Sequence, residues 1–136
     1  MSNYRKLNTS TFTTEERVQF VSRCTAKYKN VEVDSYMGLL ADYARKKGAC
    51  AVVKGLRAVS DFEDEFQQAL TNKKLNSDVE TVFMAASVEH MFLSSSMIKQ
   101  ICLLGGDAKQ FLPDEISDEV TKRILIAEKE KFSALK

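Results

Sequence analysis

The sequence predicts an α/β fold built as a doubly wound parallel sheet. Three observations carry this. Short apolar runs at Val31-Glu32-Val33, Ala51-Val52-Val53 and about 80–84 alternate with amphipathic stretches of helical period. That alternation is the pattern of parallel strands joined by helical crossovers. Two of the helix starts, after Lys54-Gly55-Leu56-Arg57 and at Ser94-Ser95-Ser96, are built from residues that suit anions, and such sites favour the strand ends of open α/β sheets. Finally, 136 residues of which 44% are hydrophobic make one domain, 1–136, with room for a real core.

The elements follow in order. Thr13 and Glu16 stand at capping-box spacing and open a helix to about Lys29, with Val18, Val21 and Cys24 along one face. Val31-Glu32-Val33 is a short strand. A helix from about Leu39 to Lys47 ends on Arg45-Lys46-Lys47, cations at the negative end of its dipole, and Gly48 stops it. The strand through Val53 comes next. A helix from Asp61 to about Lys74 follows, with Ser60 as N-cap and Glu63 completing the box. A strand over roughly 80–84 leads to a serine-capped helix, Met97–Leu104, which Gly105-Gly106 stops. Beyond Pro113, 117–134 reads as a final amphipathic helix with Val120, Ile124, Ile126 and Ala127 apolar.

The stretch from Lys54 to Glu65 is the most informative. Lys54 and Arg57 place two cations with Gly55 at the carboxyl end of a strand. Gly55 permits close backbone approach, and the next helix offers free N–H groups and the positive end of its dipole. These are the parts of a phosphate site, and equally those of an ordinary turn with solvated charges. At Ser94-Ser95-Ser96 the hydroxyls add to the helix N–H groups, although simple capping needs only one serine. Two such starts in one small α/β domain point to a nucleotide.

Composition narrows the classes. A net charge of +1 argues against a broad basic surface for nucleic acid or membrane. Cys24, Cys50 and Cys102 are odd in number and lack CxxC spacing, as expected of reduced, mostly buried thiols in a cytoplasmic protein. No run approaches membrane-spanning length, and the N-terminus does not read as a signal peptide.

The wording GLRAVSDFEDEFQQALTNKKLN, then ETVFMAAS, then FLSSSMIKQI, preceded by FTTEERV and NVEVDSYMGLLADYARKKGA, closely resembles bacterial phosphopantetheine adenylyltransferases. The resemblance runs from about Phe12 to about Pro113. It implies a Rossmann-like nucleotidyltransferase domain and Mg²⁺-assisted transfer of an adenylyl group from ATP to 4′-phosphopantetheine. The products would be dephospho-CoA and pyrophosphate, in coenzyme A synthesis, and the assembly a hexamer. It also implies residue roles. Gly55, Leu56 and Arg57 would line the triphosphate, and Glu65 the ribose or adenine side. His90, Met91, Phe92, Leu93, Ser94, Ser95 and Ser96 would close over the nucleotide. Leu40, Lys54 and Asn72 would hold phosphopantetheine.

The chain departs from the family in several places. The family's Thr/His-x-Gly-His motif is absent, since the one histidine, His90, lies in another segment. The resemblance therefore implies an N-terminally truncated domain lacking a strand, a helix and most of a second strand. No catalytic histidine is retained. The family's loop lysine falls on Asn8 without gaps and on Lys6 with a two-residue insertion, and only Lys6 keeps the cation. Lys54 stands where the family has Arg, keeping charge without the bidentate fork. His90 replaces an aromatic, Gln100 a glutamate and Ala86 a proline. An inactive paralogue that still binds ATP or CoA, and a non-catalytic subunit of the hexamer, are the competing readings.

Overall fold

The computed structural model describes residues 10–134. Lys6 and Asn8 lie outside them. Contacts divide the chain into two compact units, one of the described residues up to Ser35 together with those from Ser94 on, the other Tyr36–Leu93.

The second unit holds the sheet. Helix α2, Leu40–Lys47, leads to strand β1, Ala51–Leu56, then helix α3, Val59–Leu75, and strand β2, Glu80–Ala85. β1 and β2 pair in parallel, with Val53 opposite Val82 and Gly55 opposite Met84, and α3 is the crossover that parallel pairing requires. Side chains alternate across the sheet. Val52, Lys54 and Leu56 are half-buried on the α3 side, where Phe62 meets Phe83 edge-on at 5.6 Å. Val53, Val82 and Met84 lie on the other face and stay 61%, 47% and 61% exposed.

α2 is fastened to the end of α3 by polar contacts as well as by buried Ala41 and Ala44. Asn76, itself buried, donates from Nδ2 to the Ala41 carbonyl at 3.2 Å and accepts from the Asp78 amide. Arg45 reaches the Leu75 carbonyl at 2.7 Å. Gly48 ends α2 in the left-handed conformation, φ 64°, where a Cβ would be strained.

The first unit is helical. Helices α1, Thr14–Thr25, α4, Ser95–Leu103, and α5, Ser117–Ala134, supply Phe20, Ile98, Cys102, Val120 and Ile124 to its core, with Ala108 from the loop after α4. Phe12 meets Phe20 edge-on at 5.1 Å. Arg23 pairs with Glu119 at 2.7 Å and Arg123 with Glu16 at 3.4 Å. Among the described residues no helix is long and apolar enough to cross a membrane.

The parallel α/β expectation stands, and the Thr13–Glu16 capping box and Gly48 stop form as expected. Four details are corrected. Val31-Glu32-Val33 forms no strand, because a strand exists only with a ladder partner and the sheet among the described residues is two-stranded. α1 ends at Thr25, not near Lys29. α3 starts at Val59 behind Ala58, with no side-chain cap, so Ser60 is not its N-cap. Of the cysteines only Cys102 is buried; Cys50 is exposed and Cys24 half-buried. Burial raises the Cys102 thiol pKa above its ordinary value.

Candidate functional site

β1 runs through Leu56 because Lys54, Gly55 and Leu56 pair with Phe83, Met84 and Ala85. Lys54 and Gly55 are therefore strand residues, and only Arg57 lies past the strand end. A Cβ added at Gly55 would meet nothing within 4 Å, and its φ is not positive. Packing among the described residues does not demand glycine there.

Arg57 is held by three acceptor contacts. Its backbone N–H and its Nε–H both donate to Asp61 Oδ2, at 3.2 and 3.1 Å, and Nη1 donates to the Leu93 carbonyl at 2.5 Å. The guanidinium hydrogen-bonded to Asp61 holds that carboxyl pKa below its ordinary value. Asp61, in the first turn of α3, thus turns back to the backbone N–H groups of Arg57 and Ala58, the two residues before the helix. The first N–H groups of α3 have no side-chain cap, so they are open to an anion. The Arg57 side chain remains 42% exposed.

Lys54 reaches Glu65 Oε2 at 2.9 Å, and both side chains are about three-quarters covered, with 27% and 25% exposed. That oxygen is sealed from solvent, with Lys54 Nζ against it. The second predicted cation therefore rests on the carboxylate predicted for the ribose or adenine side.

A groove of about 510 Å³ opens between the start of α2 and one face of α3, lined by Leu39, Leu40, Asp64, Gln68, Thr71 and Asn72 among others. It brings Leu40 and Asn72 together. The α3 side is a row at helical spacing that offers amides, a hydroxyl and a carboxylate. Sequence reasoning named only Asn72 of that row. The i, i+4 spacing of Arg57 and Asp61 and the polar period from Asp64 to Asn72 were the signals available.

His90 lies in a short 3-10 turn, Val88–His90, where its Nδ1 meets Ser87 Oγ at 2.6 Å. His90, Met91 and Phe92 are exposed, and Leu93 is half-buried. Ser94, Ser95 and Ser96 belong to the first unit. Ser94 caps α4 by accepting from the Met97 amide at 3.1 Å, and its hydroxyl contacts that of Ser96 at 2.9 Å. One serine thus does the capping, and Ser95 and Ser96 remain exposed on the first turn.

The cytidylyltransferase-like family profile matches residues 1–101. A phosphopantetheine adenylyltransferase of Clostridium perfringens is 50% identical over 114 residues, which is 84% of this chain and 70% of that protein. One from Heliobacterium modesticaldum is 52% identical over 105 residues, 77% of this chain and 62% of that protein. One from Clostridium tetani is 48% identical over 112 residues, covering 82% and 70%.

Proposed function

This chain belongs to the phosphopantetheine adenylyltransferase family, and on that premise we propose that it binds ATP and 4′-phosphopantetheine for adenylyl transfer. The observation that carries the reading is the head of α3. Arg57 and uncapped helix N–H groups stand at the end of β1, open Gly55 stands beside them, and an amide-lined groove holding Leu40 and Asn72 opens in the same unit. Arg57 with the α3 N–H groups suits the β/γ-phosphates. Lys54 suits the phosphate of phosphopantetheine, and the groove suits a flexible chain with its own amides. Ser95 and Ser96 are assigned to the nucleotide phosphates, and the segment from His90 to Leu93 to the adenosine.

The chemistry asked of such a site is positioning. One phosphate oxygen attacks the α-phosphorus of ATP in line and pyrophosphate leaves, so no covalent enzyme intermediate is needed. Mg²⁺ belongs to the same reading as part of the nucleotide. Among the described residues no three His, Cys, Asp or Glu side chains gather as a metal site, and Mg²⁺ takes most of its ligands from phosphates and water. Assembly into a homohexamer and a cytoplasmic location complete the proposal.

A second reading is favoured by one observation. The single histidine, His90, lies outside any His-x-Gly-His motif, so these 136 residues lack the group expected to stabilise transition-state charge. We therefore expect the chain by itself to bind both substrates and to turn over little. Calorimetry with each substrate and a pyrophosphate-release assay decide between the two. Binding with turnover comparable to a complete family member would show that another cation has taken the histidine's place. Failure to bind either ligand would overturn the site assignment.

A further inference from the structure

We propose that the Lys54–Glu65 ion pair couples the two substrate sites, so that a ribose on Glu65 raises the affinity of Lys54 for a phosphate monoester. The inference rests on the ligand assignment above and adds the link between its two halves. Lys54 Nζ lies 2.9 Å from Glu65 Oε2, and both side chains are about three-quarters covered. Partly desolvated charges act on each other more strongly than surface charges. In the unliganded chain Lys54 is therefore neutralised by a neighbouring anion that also repels an incoming phosphate.

Glu65 has hydrogen-bonding capacity to spare. Its Oε2 is sealed from solvent with Lys54 Nζ against it, whereas a carboxylate has a second oxygen and can take several hydrogen bonds. A ligand bearing vicinal hydroxyls supplies such donors, spreads the carboxylate charge and loosens its hold on Lys54. The residue type sharpens the effect. A lysine is a single point charge, while an arginine fork can serve two oxyanions at once. The consequence is reciprocal, because either ligand must tighten the other by the same factor.

The test uses calorimetry with 4′-phosphopantetheine, alone and with saturating α,β-methylene-ATP or its 2′,3′-dideoxy counterpart. The two nucleotides carry the same charge, but only the first offers ribose hydroxyls. Phosphopantetheine should bind about five-fold tighter or more in the presence of the hydroxylated analogue than with the dideoxy one, the lower range of typical coupling. In Glu65→Gln it should bind tighter without nucleotide than the parent does, and the difference between the analogues should vanish. In Lys54→Arg the coupling should shrink while phosphopantetheine affinity rises. Circular dichroism confirms that each variant is folded. Equal phosphopantetheine affinity with both analogues in the parent chain, or coupling that survives Glu65→Gln, overturns this proposal and leaves the substrate assignment standing. Absence of binding by either substrate overturns both.

Discussion

Arg57 and Lys54 sit three residues apart in sequence and are held by different carboxylates, Asp61 and Glu65. On the proposed ligand assignment, that separation implies a division of labour. Arg57→Ala should weaken ATP binding more than Lys54→Ala does, and Lys54→Ala should mainly weaken phosphopantetheine. A hydrogen bond to a charged group contributes about 1.5–3 kcal/mol, enough for about a ten-fold loss or more in a titration. Equal losses for both ligands in both variants would reject the partition. Asp61 adds a pH dependence. Its carboxyl pKa is depressed, first by the Arg57 hydrogen bond, so the tether is in place above the ordinary aspartate value and is lost as pH falls through the depressed one. The Arg57 Nε–H resonance should follow that step on acid titration, and in Asp61→Asn the step should disappear. The placement of the two cations and Gly55 around the end of β1 was legible, because an apolar run precedes them and a helix pattern follows. The pairings of Arg57 with Asp61 and of Lys54 with Glu65 were not read, because the second joins a strand to a helix eleven residues on and both form only once the backbone brings the charges together.

Helix ends show the same boundary between the legible and the hidden. Thr13 and Glu16 form both halves of a capping box, the Thr13 amide donating to Glu16 Oε2 at 2.8 Å and the Glu16 amide to Thr13 Oγ1 at 3.2 Å. The pattern is local, so sequence spacing suffices to find it. At Ser60 the same spacing failed, because Asp61 is engaged by Arg57 and the helix begins two residues earlier than predicted, at Val59. Val31-Glu32-Val33 failed for a nonlocal reason, since β-propensity cannot supply a partner strand. Asn76 was invisible for the same reason, because its buried bond to the Ala41 carbonyl spans 35 residues. Thr13→Ala should lower stability by about 1 kcal/mol without changing nucleotide affinity, as read by chemical denaturation and titration. Ser94→Ala should cost a similar amount, while Ser95→Ala and Ser96→Ala should spare stability and weaken nucleotide binding. Undiminished ATP binding by the last two variants would remove these serines from the site.

For the whole molecule, the α/β class was legible from the alternation of elements, while the distribution of buried surface was not. The first unit buries Phe20, Ile98, Cys102, Val120 and Ile124, whereas the second buries Ala41, Ala44 and Val79. Small side chains remove little apolar area from water, and burying a Val, Leu, Ile or Phe contributes about 1.5–3 kcal/mol. The sheet also leaves Val53 and Met84 each 61% exposed, so its hydrogen bonds are guarded on one face only. Amide protection should therefore be lower in β1 and β2 than in α4 and the first three turns of α5. Ile124→Ala should cost about 2–5 kcal/mol, while Val53→Thr on the open face should stay within about 0.5 kcal/mol. Hydrogen exchange followed by mass spectrometry, with and without ATP, reads the first point, and denaturant melts read the second. ATP should slow exchange at the end of β1 and the start of α3, where the proposal puts the phosphates against Arg57 and the uncapped N–H groups. If β1 and β2 are as protected as α4 without ligand, and Val53→Thr destabilises as much as Ile124→Ala, then the open face is covered in solution. The weak member of the chain would then lie elsewhere.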